Sequence, residues 1–147
     1  MKITLIAIGK LKEKYLVEAA KEYLKRLKPF ATVDIIEIAE CRTVDEEADK
    51  ILNRLSGNSW VCVLDVFGKA MSSEEFAQTI SNLTLKGQSN LTFVIGGAFG
   101  LNQKLRDTAD LRLSLSKMTF THQMTRVILL EQIYRTFKIN RSEPYHY

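Results

Sequence analysis

Residues 95–101 combine residue types that could hold a ligand against the backbone. They read Ile-Gly-Gly-Ala-Phe-Gly-Leu, with three glycines in five positions directly after an apolar run. Glycine permits positive φ angles and a close approach of the backbone to a bound molecule. The spacing differs from the GxGxxG pattern of dinucleotide-binding folds. The segment therefore predicts either a ligand-binding loop or a tight turn between a strand and a helix.

A second such segment, residues 115–122, is rich in hydroxyl groups. It reads Leu-Ser-Lys-Met-Thr-Phe-Thr-His. Its backbone groups could pair with the edge of an adenine, and Met118 and Phe120 could form apolar walls around it. Thr121 also has the residue type and position of a helix N-cap. Both interpretations are compatible with each other.

Few side chains are suited to proton transfer. The two histidines, His122 and His146, carry the groups that titrate near neutral pH. A lone histidine is more often structural than catalytic. Asp65 follows the third apolar run. Its carboxylate could bind a ribose or act as a general acid or base, or it could simply be solvated at the end of a strand.

The cysteines, Cys41 and Cys62, form no CxxC pattern, so we expect no metal site and a reduced, cytoplasmic protein.

Basic and aromatic residues concentrate near the end of the chain. Residues 141–147 read Arg-Ser-Glu-Pro-Tyr-His-Tyr. Tyrosine and histidine stack on bases, and arginine pairs with phosphate. Arg126 and Arg135 are nine residues apart on one predicted helix, about 2.5 turns, so they face nearly opposite sides and cannot form one clamp. The net charge of +4 permits a nucleic-acid partner without requiring one.

Short apolar runs alternate with segments of helical periodicity along the whole chain. The apolar runs predict strands at residues 3–9, 33–38, 60–66, 91–95 and 111–115, and the periodic segments predict helices at residues 13–27, 44–55, 72–85, 102–109 and 121–139. This alternation predicts an α/β fold, a single domain over residues 1–147 with a mainly parallel sheet flanked by helices. No segment has the roughly 20 apolar residues needed to cross a bilayer, so we expect no membrane partner.

Three segments follow predicted strands and are candidates for one site. Parallel sheets bind ligands beyond the carboxyl ends of their strands. We therefore expect residues 65–69, 96–100 and 116–121 to converge there.

The last predicted helix has an apolar arc that is too wide for a helix packed on one side only. Either the helix is central in the domain, or it packs on its own core and on a second subunit. Because a twofold homodimer is the commonest oligomer, we favour the homodimer. The arc consists of Val127, Ile128, Leu129, Leu130, Ile133, Tyr134 and Phe137.

Taken together, these segments resemble the ribosomal RNA large subunit methyltransferase H family of the SPOUT superfamily. The similarity covers the glycine segment at 95–101, LSLSKMTFTHQMTRVILLEQIYRTFKI at 113–139 and the closing PYHY. MKITLIAIGKLKEKY at 1–15 and VLDVFGKAMSSEEFA at 63–77 match as well. The chain departs from the family at Thr121, where the family often has proline.

The resemblance implies a fold and a reaction that the pattern of elements does not reveal. It implies an α/β fold in which the C-terminal segment forms a deep trefoil knot, and a homodimer. It implies methylation of N3 of a pseudouridine in large-subunit (23S) ribosomal RNA on the assembled ribosome, with S-adenosyl-L-methionine as cofactor. The same fold could instead serve a non-catalytic ribosome- or RNA-binding factor. A flavodoxin-like nucleotide-binding protein is a third reading, disfavoured because no phosphate cradle follows the first strand.

The resemblance also implies roles for individual residues. The cofactor-binding positions are Leu64, Gly96, Leu115, Ser116, Lys117, Met118, Thr119 and Phe120. The positions expected to contact substrate RNA are His122, Arg126, Arg141, Tyr145 and His146. Of the two imidazoles, we favour His146 as the catalytic base that removes the N3 proton, acting in its own or a partner subunit.

Overall fold

Strands and helices alternate along the part of the chain that the computed structural model describes, residues 1–145. Five strands and five helices follow one another in the predicted order. They are β1 (Lys2–Ile8), α1 (Lys14–Leu27), β2 (Thr32–Ile38), α2 (Val44–Leu52), β3 (Trp60–Ala70), α3 (Ser73–Leu85), β4 (Asn90–Ile95), α4 (Gln103–Thr108), β5 (Leu111–Ser114) and α5 (His122–Asn140).

All five strands lie parallel in one sheet of order β2-β1-β4-β3-β5. In the middle of the sheet, Ile6 of β1 is in register with Ile36 of β2 and with Val94 of β4. The predicted α/β fold with a parallel sheet flanked by helices is confirmed. All carboxyl ends of the strands consequently lie along one edge.

Side chains alternate between the two faces of the sheet and form two separate cores. Leu5 and Phe93 belong to the core that also contains residues of α1, α3 and α5. Ile6 and Val94 belong to the other core, which contains Ile51 of α2 and residues of α4. Because both faces are covered, the central strands β1 and β4 are apolar at most positions, as is usual for parallel sheets.

Side-chain caps fix the starts of four helices, α2, α3, α4 and α5. The Ser72 hydroxyl accepts a hydrogen bond from the Glu75 N–H, and the Glu75 carboxylate accepts one from the Ser72 N–H, so the two residues form a capping box at the start of α3. Thr121 caps α5 by accepting from the Met124 N–H. Two predicted boundaries differ from the structure by more than one residue: α2 ends at Leu52 instead of 55, and β3 continues to Ala70 instead of 66.

The last helix, α5, packs against both α1 and α3, so a large part of its wide apolar arc is explained within the chain. Leu129, Leu130 and Ile133 are fully buried there. Val127 and Tyr134 are only partly buried. Within residues 1–145, no helix is both long and apolar enough to cross a membrane.

Candidate functional site

A cavity of about 560 Å³ lies at the carboxyl edge of the sheet, where the three candidate loops meet. Its volume falls within the range of small-molecule and cofactor pockets. Residues 64–67 of β3 and the loops after β4 and β5 supply most of its wall, and α4 and α5 supply the rest. The lining residues include Leu64, Asp65, Val66, Phe67, Gly96, Gly97, Phe99, Gly100, Arg106, Leu115, Ser116, Met118, Thr119, Phe120, Thr121 and His122.

The glycine loop after β4 folds back on itself. The Gly100 N–H donates a hydrogen bond of 3.0 Å to the Gly97 carbonyl, and Gly100 has a φ of 76°, which favours glycine. A Cβ atom on Gly96 would lie 2.7 Å from the Gly100 carbonyl oxygen. The sequence left open a turn or a ligand-binding loop; the segment is a tight turn that also lines the cavity.

The loop after β5 is organised by its own hydroxyl groups. The Ser114 hydroxyl donates to the Ser116 carbonyl at 3.0 Å, and the Ser116 hydroxyl accepts from the Met118 N–H at 3.0 Å. These local bonds hold the backbone in a bend before Thr121 starts α5. The side chains of Met118 and Phe120 remain exposed at the cavity rim.

Asp65 supplies the charged part of the third wall. Its carboxylate accepts hydrogen bonds from Arg106 Nε at 3.1 Å, from Arg112 Nε at 2.9 Å and from the Phe67 N–H at 3.0 Å. Burial alone would raise the pKa of Asp65, but the Phe67 N–H and the two guanidinium groups together lower it below its ordinary value. The carboxylate is therefore ionised and paired, and is neither a solvated strand end nor a free base.

The structure brings most of the expected cofactor positions together. Seven of the eight line the cavity, namely Leu64, Gly96, Leu115, Ser116, Met118, Thr119 and Phe120. Lys117 is exposed and is not among the lining residues. His122, expected to face RNA, lines the same cavity at the first position of α5.

Arg126 requires a correction, because it lies in the interior and not on an RNA-facing surface. Its side chain is 3% exposed. Nη1 donates to the Glu37 carboxylate at 2.6 Å, and Nη2 donates to the Gly9 carbonyl at 3.0 Å. A guanidinium that is buried and already paired cannot reach a phosphate. Arg126 therefore joins α5 to the ends of β1 and β2.

The described part of the tail packs far from the cavity of its own chain. The Tyr145 hydroxyl donates to the Glu131 carboxylate at 3.0 Å, and its ring meets Tyr134 edge-on at 4.8 Å. Burial, followed by the hydrogen bonds with Tyr23 and Glu131, raises the pKa of Tyr145. The Arg141 guanidinium lies 4.7 Å from the Phe30 ring centroid. His146 lies outside the described residues.

Two lining residues were missed from the sequence. Arg106 looks like any solvated arginine of a short helix, and only its contact with Asp65, 41 residues earlier, brings it to the cavity. Phe67 fell inside candidate loop 65–69 but was not singled out. The sequence did offer one indication that Phe67 lines the site: it is an aromatic residue just after a predicted strand, next to Gly68.

The geometry defines a class of protein: an α/β protein with a cofactor-sized cavity at the carboxyl edge of a parallel sheet, walled by a glycine loop and a hydroxyl-rich loop. Among residues 1–145, no three His, Cys, Asp or Glu side chains are grouped so that they could hold a metal ion. The walls offer backbone groups, hydroxyls and apolar surface, which suit an organic molecule.

Comparison with known proteins identifies the family. The family model described as "Predicted SPOUT methyltransferase" matches residues 1–146. Proteins named ribosomal RNA large subunit methyltransferase H from Halothermothrix orenii, Carboxydothermus hydrogenoformans and Ruminiclostridium cellulolyticum are 51%, 49% and 48% identical to the chain, and each alignment covers 99% of both proteins. The chain therefore belongs to the SPOUT methyltransferases and, within them, to the ribosomal RNA large subunit methyltransferase H family.

Proposed function

We propose that the protein methylates N3 of a pseudouridine in large-subunit (23S) ribosomal RNA on the assembled ribosome, with S-adenosyl-L-methionine as methyl donor. The observation that carries the proposal is the convergence of seven expected cofactor positions on one cavity of about 560 Å³. Support for the RNA comes from the relatives, which are named as methyltransferases of large-subunit ribosomal RNA. Such an enzyme works in the cytoplasm, where ribosomes are.

The walls of the cavity fit the proposed cofactor. A Cβ atom on Gly96 would have no room beside the Gly100 carbonyl, so the beginning and the end of the glycine loop lie close together. Leu64 and Leu115 provide apolar surface in the cavity wall. The cofactor supplies a methyl group already bonded to a sulfonium, so the protein's task is to orient donor and acceptor.

The acceptor nitrogen must lose its proton, because a neutral imide nitrogen is a poor nucleophile. We propose His146 as the base, with Tyr145 orienting it and Arg141 available to RNA phosphate. Tyr145 packs near Tyr134, twelve residues along α5 from the cavity residue His122, which is roughly 18 Å of helix. Because the C-terminal tail is anchored at that distance from its own cavity, we propose that it delivers the catalytic base to the cavity of a partner subunit in a homodimer.

The path of the chain supports the proposed C-terminal trefoil knot. β5 lies at one edge of the sheet, whereas Arg126 near the start of α5 contacts Glu37 of β2, the strand at the opposite edge. The segment between them therefore crosses the carboxyl ends of the intervening strands. Such a crossing is what a threaded chain requires, although threaded folds are very rare in general.

Methyl transfer to isolated ribosomes tests the proposal. We expect the protein to bind S-adenosyl-L-methionine in calorimetric titration and to label one nucleotide in whole ribosomes more readily than in free large subunits. Mapping the modified nucleotide identifies base and atom. Absence of cofactor binding at millimolar concentration would overturn the proposal and favour a non-catalytic ribosome-binding factor.

Two histidine variants separate the candidate bases. We expect His146→Ala to lower the single-turnover rate about 100-fold with unchanged affinity for the cofactor, as loss of a general base does. His122→Ala is the matched comparison, because His122 lines the cavity and is the alternative imidazole. An unchanged rate in His146→Ala would remove His146 from the mechanism.

A further inference from the structure

The second half of β3 leaves its ladder for four residues before rejoining it. Leu64 and Lys69 are both in register with Leu113 of β5, so the intervening residues 65–68 project from the sheet. We call residues 65–68 the β3 bulge. Bulges of this kind re-aim side chains next to functional sites. Here the displaced segment forms one wall of the cavity.

The β3 bulge is held at both of its ends. At its start, the Asp65 carboxylate accepts from the Phe67 N–H and is paired with Arg106 and Arg112. At its end, Gly68 lies so close to β5 that a Cβ atom would come within 2.5 Å of the Arg112 carbonyl oxygen. The bulge is therefore a fixed feature of the backbone.

This fixed backbone presents an aromatic ring to solvent at the cavity mouth. Phe67 is 80% exposed and lines the cavity, together with Val66, which is also exposed. An exposed aromatic ring on a rigid backbone loses little conformational freedom when a flat molecule stacks on it. The position is thus suited to a planar ligand.

The charges around Phe67 indicate which planar ligand it would meet. One carboxylate, Asp65, is shared by two guanidinium groups, so the cluster carries an excess positive charge. Lys69, two residues from Phe67, is exposed as well. Aromatic rings beside cations are the combination by which proteins bind unpaired nucleotides. Phe99, Met118 and Phe120 are also exposed around the cavity, so contact of the ring with a second subunit is one of the outcomes that the test below distinguishes.

We propose that Phe67 stacks on the target base of the RNA at the mouth of the cofactor cavity, and that Asp65 is the positioning residue that holds the β3 bulge in place for it. This inference rests on the proposed RNA methylation. Methylation at N3 requires an unpaired base, because N3 lies on the Watson–Crick edge, and a base out of its stack needs a replacement surface. Phe67 is more exposed than the partly buried cofactor positions Leu64 and Gly96.

Steady-state methylation of ribosomes with Phe67 variants tests the inference. We expect Phe67→Leu, which keeps an apolar side chain but removes the aromatic face, to lower kcat/KM for ribosomes about tenfold. Phe67→Tyr should retain wild-type activity. Tyr15→Leu is the matched control, because Tyr15 is an exposed aromatic residue of α1 outside the cavity. Calorimetry and light scattering should show unchanged cofactor affinity and oligomeric state in every variant.

The outcomes distinguish this inference from the proposed function. A wild-type protein that transfers no methyl group to ribosomes overturns both. Wild-type methylation with equal activity in Phe67→Leu overturns only the role of Phe67. A loss in Phe67→Leu that is matched by weaker cofactor binding or by a change in oligomeric state also overturns it, because the ring would then contact the cofactor or a second subunit.

Discussion

Arg126 on α5 donates a hydrogen bond of 2.6 Å to the carboxylate of Glu37 on β2, across 89 residues of sequence. A second bond reaches the Gly9 carbonyl at the end of β1. The helix is thus attached to the carboxyl edge of two strands that precede it by most of the chain. Because the arginine is buried, this attachment contributes to stability and not to RNA binding.

Removal of the Arg126 side chain should destabilise the protein. We expect Arg126→Ala to lower the free energy of unfolding by about 2–3 kcal/mol, because hydrogen bonds to charged partners contribute about that much. Urea denaturation at fixed protein concentration measures the change. The control is Arg54→Ala, at an exposed position just after α2, with an expected change within about 0.5 kcal/mol. If Arg126→Ala has wild-type stability but binds RNA more weakly, Arg126 contacts RNA after all.

The glycine loop provides a second test, directed at the cofactor. We expect Gly96→Ala to weaken binding of S-adenosyl-L-methionine more than tenfold, because the new methyl group would collide with the Gly100 carbonyl at 2.7 Å and displace the loop. Titration calorimetry measures the affinity. Gly57→Ala is the control, since a Cβ atom there meets nothing within 4 Å. Equal affinities for the two variants would mean that the loop takes no part in cofactor binding.

The paired carboxylate of Asp65 predicts a pH-dependent contribution to stability. We expect Asp65→Asn to lower the free energy of unfolding by about 1.5–3 kcal/mol at pH 7. Because the pKa of Asp65 is lower in the folded protein, the wild-type advantage should persist above about pH 4, the ordinary aspartate pKa, and disappear as the pH falls through the folded value.

Urea denaturation of wild type and Asp65→Asn over a series of pH values measures this dependence. Asp34→Asn, on the exposed side of β2, serves as the control and should change stability little at any pH. A stability difference between wild type and Asp65→Asn that stays constant down to pH 2 would contradict the ionised pairing with Arg106 and Arg112.

The Tyr145 hydroxyl should help to hold the tail on α5. We expect Tyr145→Phe to keep the edge-on contact with Tyr134 but to lose the bond to Glu131, which lowers stability by about 0.5–1.5 kcal/mol. Hydrogen exchange of residues 141–145 should become faster. Tyr15→Phe removes a hydroxyl from an exposed ring and should have no such effect. Unchanged exchange in Tyr145→Phe would show that ring packing alone anchors the tail.

Local patterns were sufficient to predict the elements of the fold. The apolar runs of β1 and β4 and the N-cap at Thr121 depend on near neighbours, and each appears where the sequence predicts it. The carboxyl ends of the strands then determined which loops converge. Parallel strands impose that convergence whatever the loops contain.

Features that depend on distant partners could not be predicted in the same way. The β3 bulge requires Arg106 and Arg112, more than 40 residues later, so residues 65–68 looked like the end of a strand. Arg126 offered one overlooked signal: it is three and four residues before Leu129 and Leu130, which places all three on the buried face of α5. Its charge alone had indicated a surface position.

The contact between α1 and α5 has a consequence for how the protein is made. α5 is translated after every other described element, yet it covers the inner face of α1, which is translated among the first. The Lys12 N–H, for example, donates to the Gln123 side chain 111 residues away. Until α5 has left the ribosome, the contact between α1 and α5 cannot form. A nascent chain of this protein should therefore complete the packing of α1 only once α5 has been made.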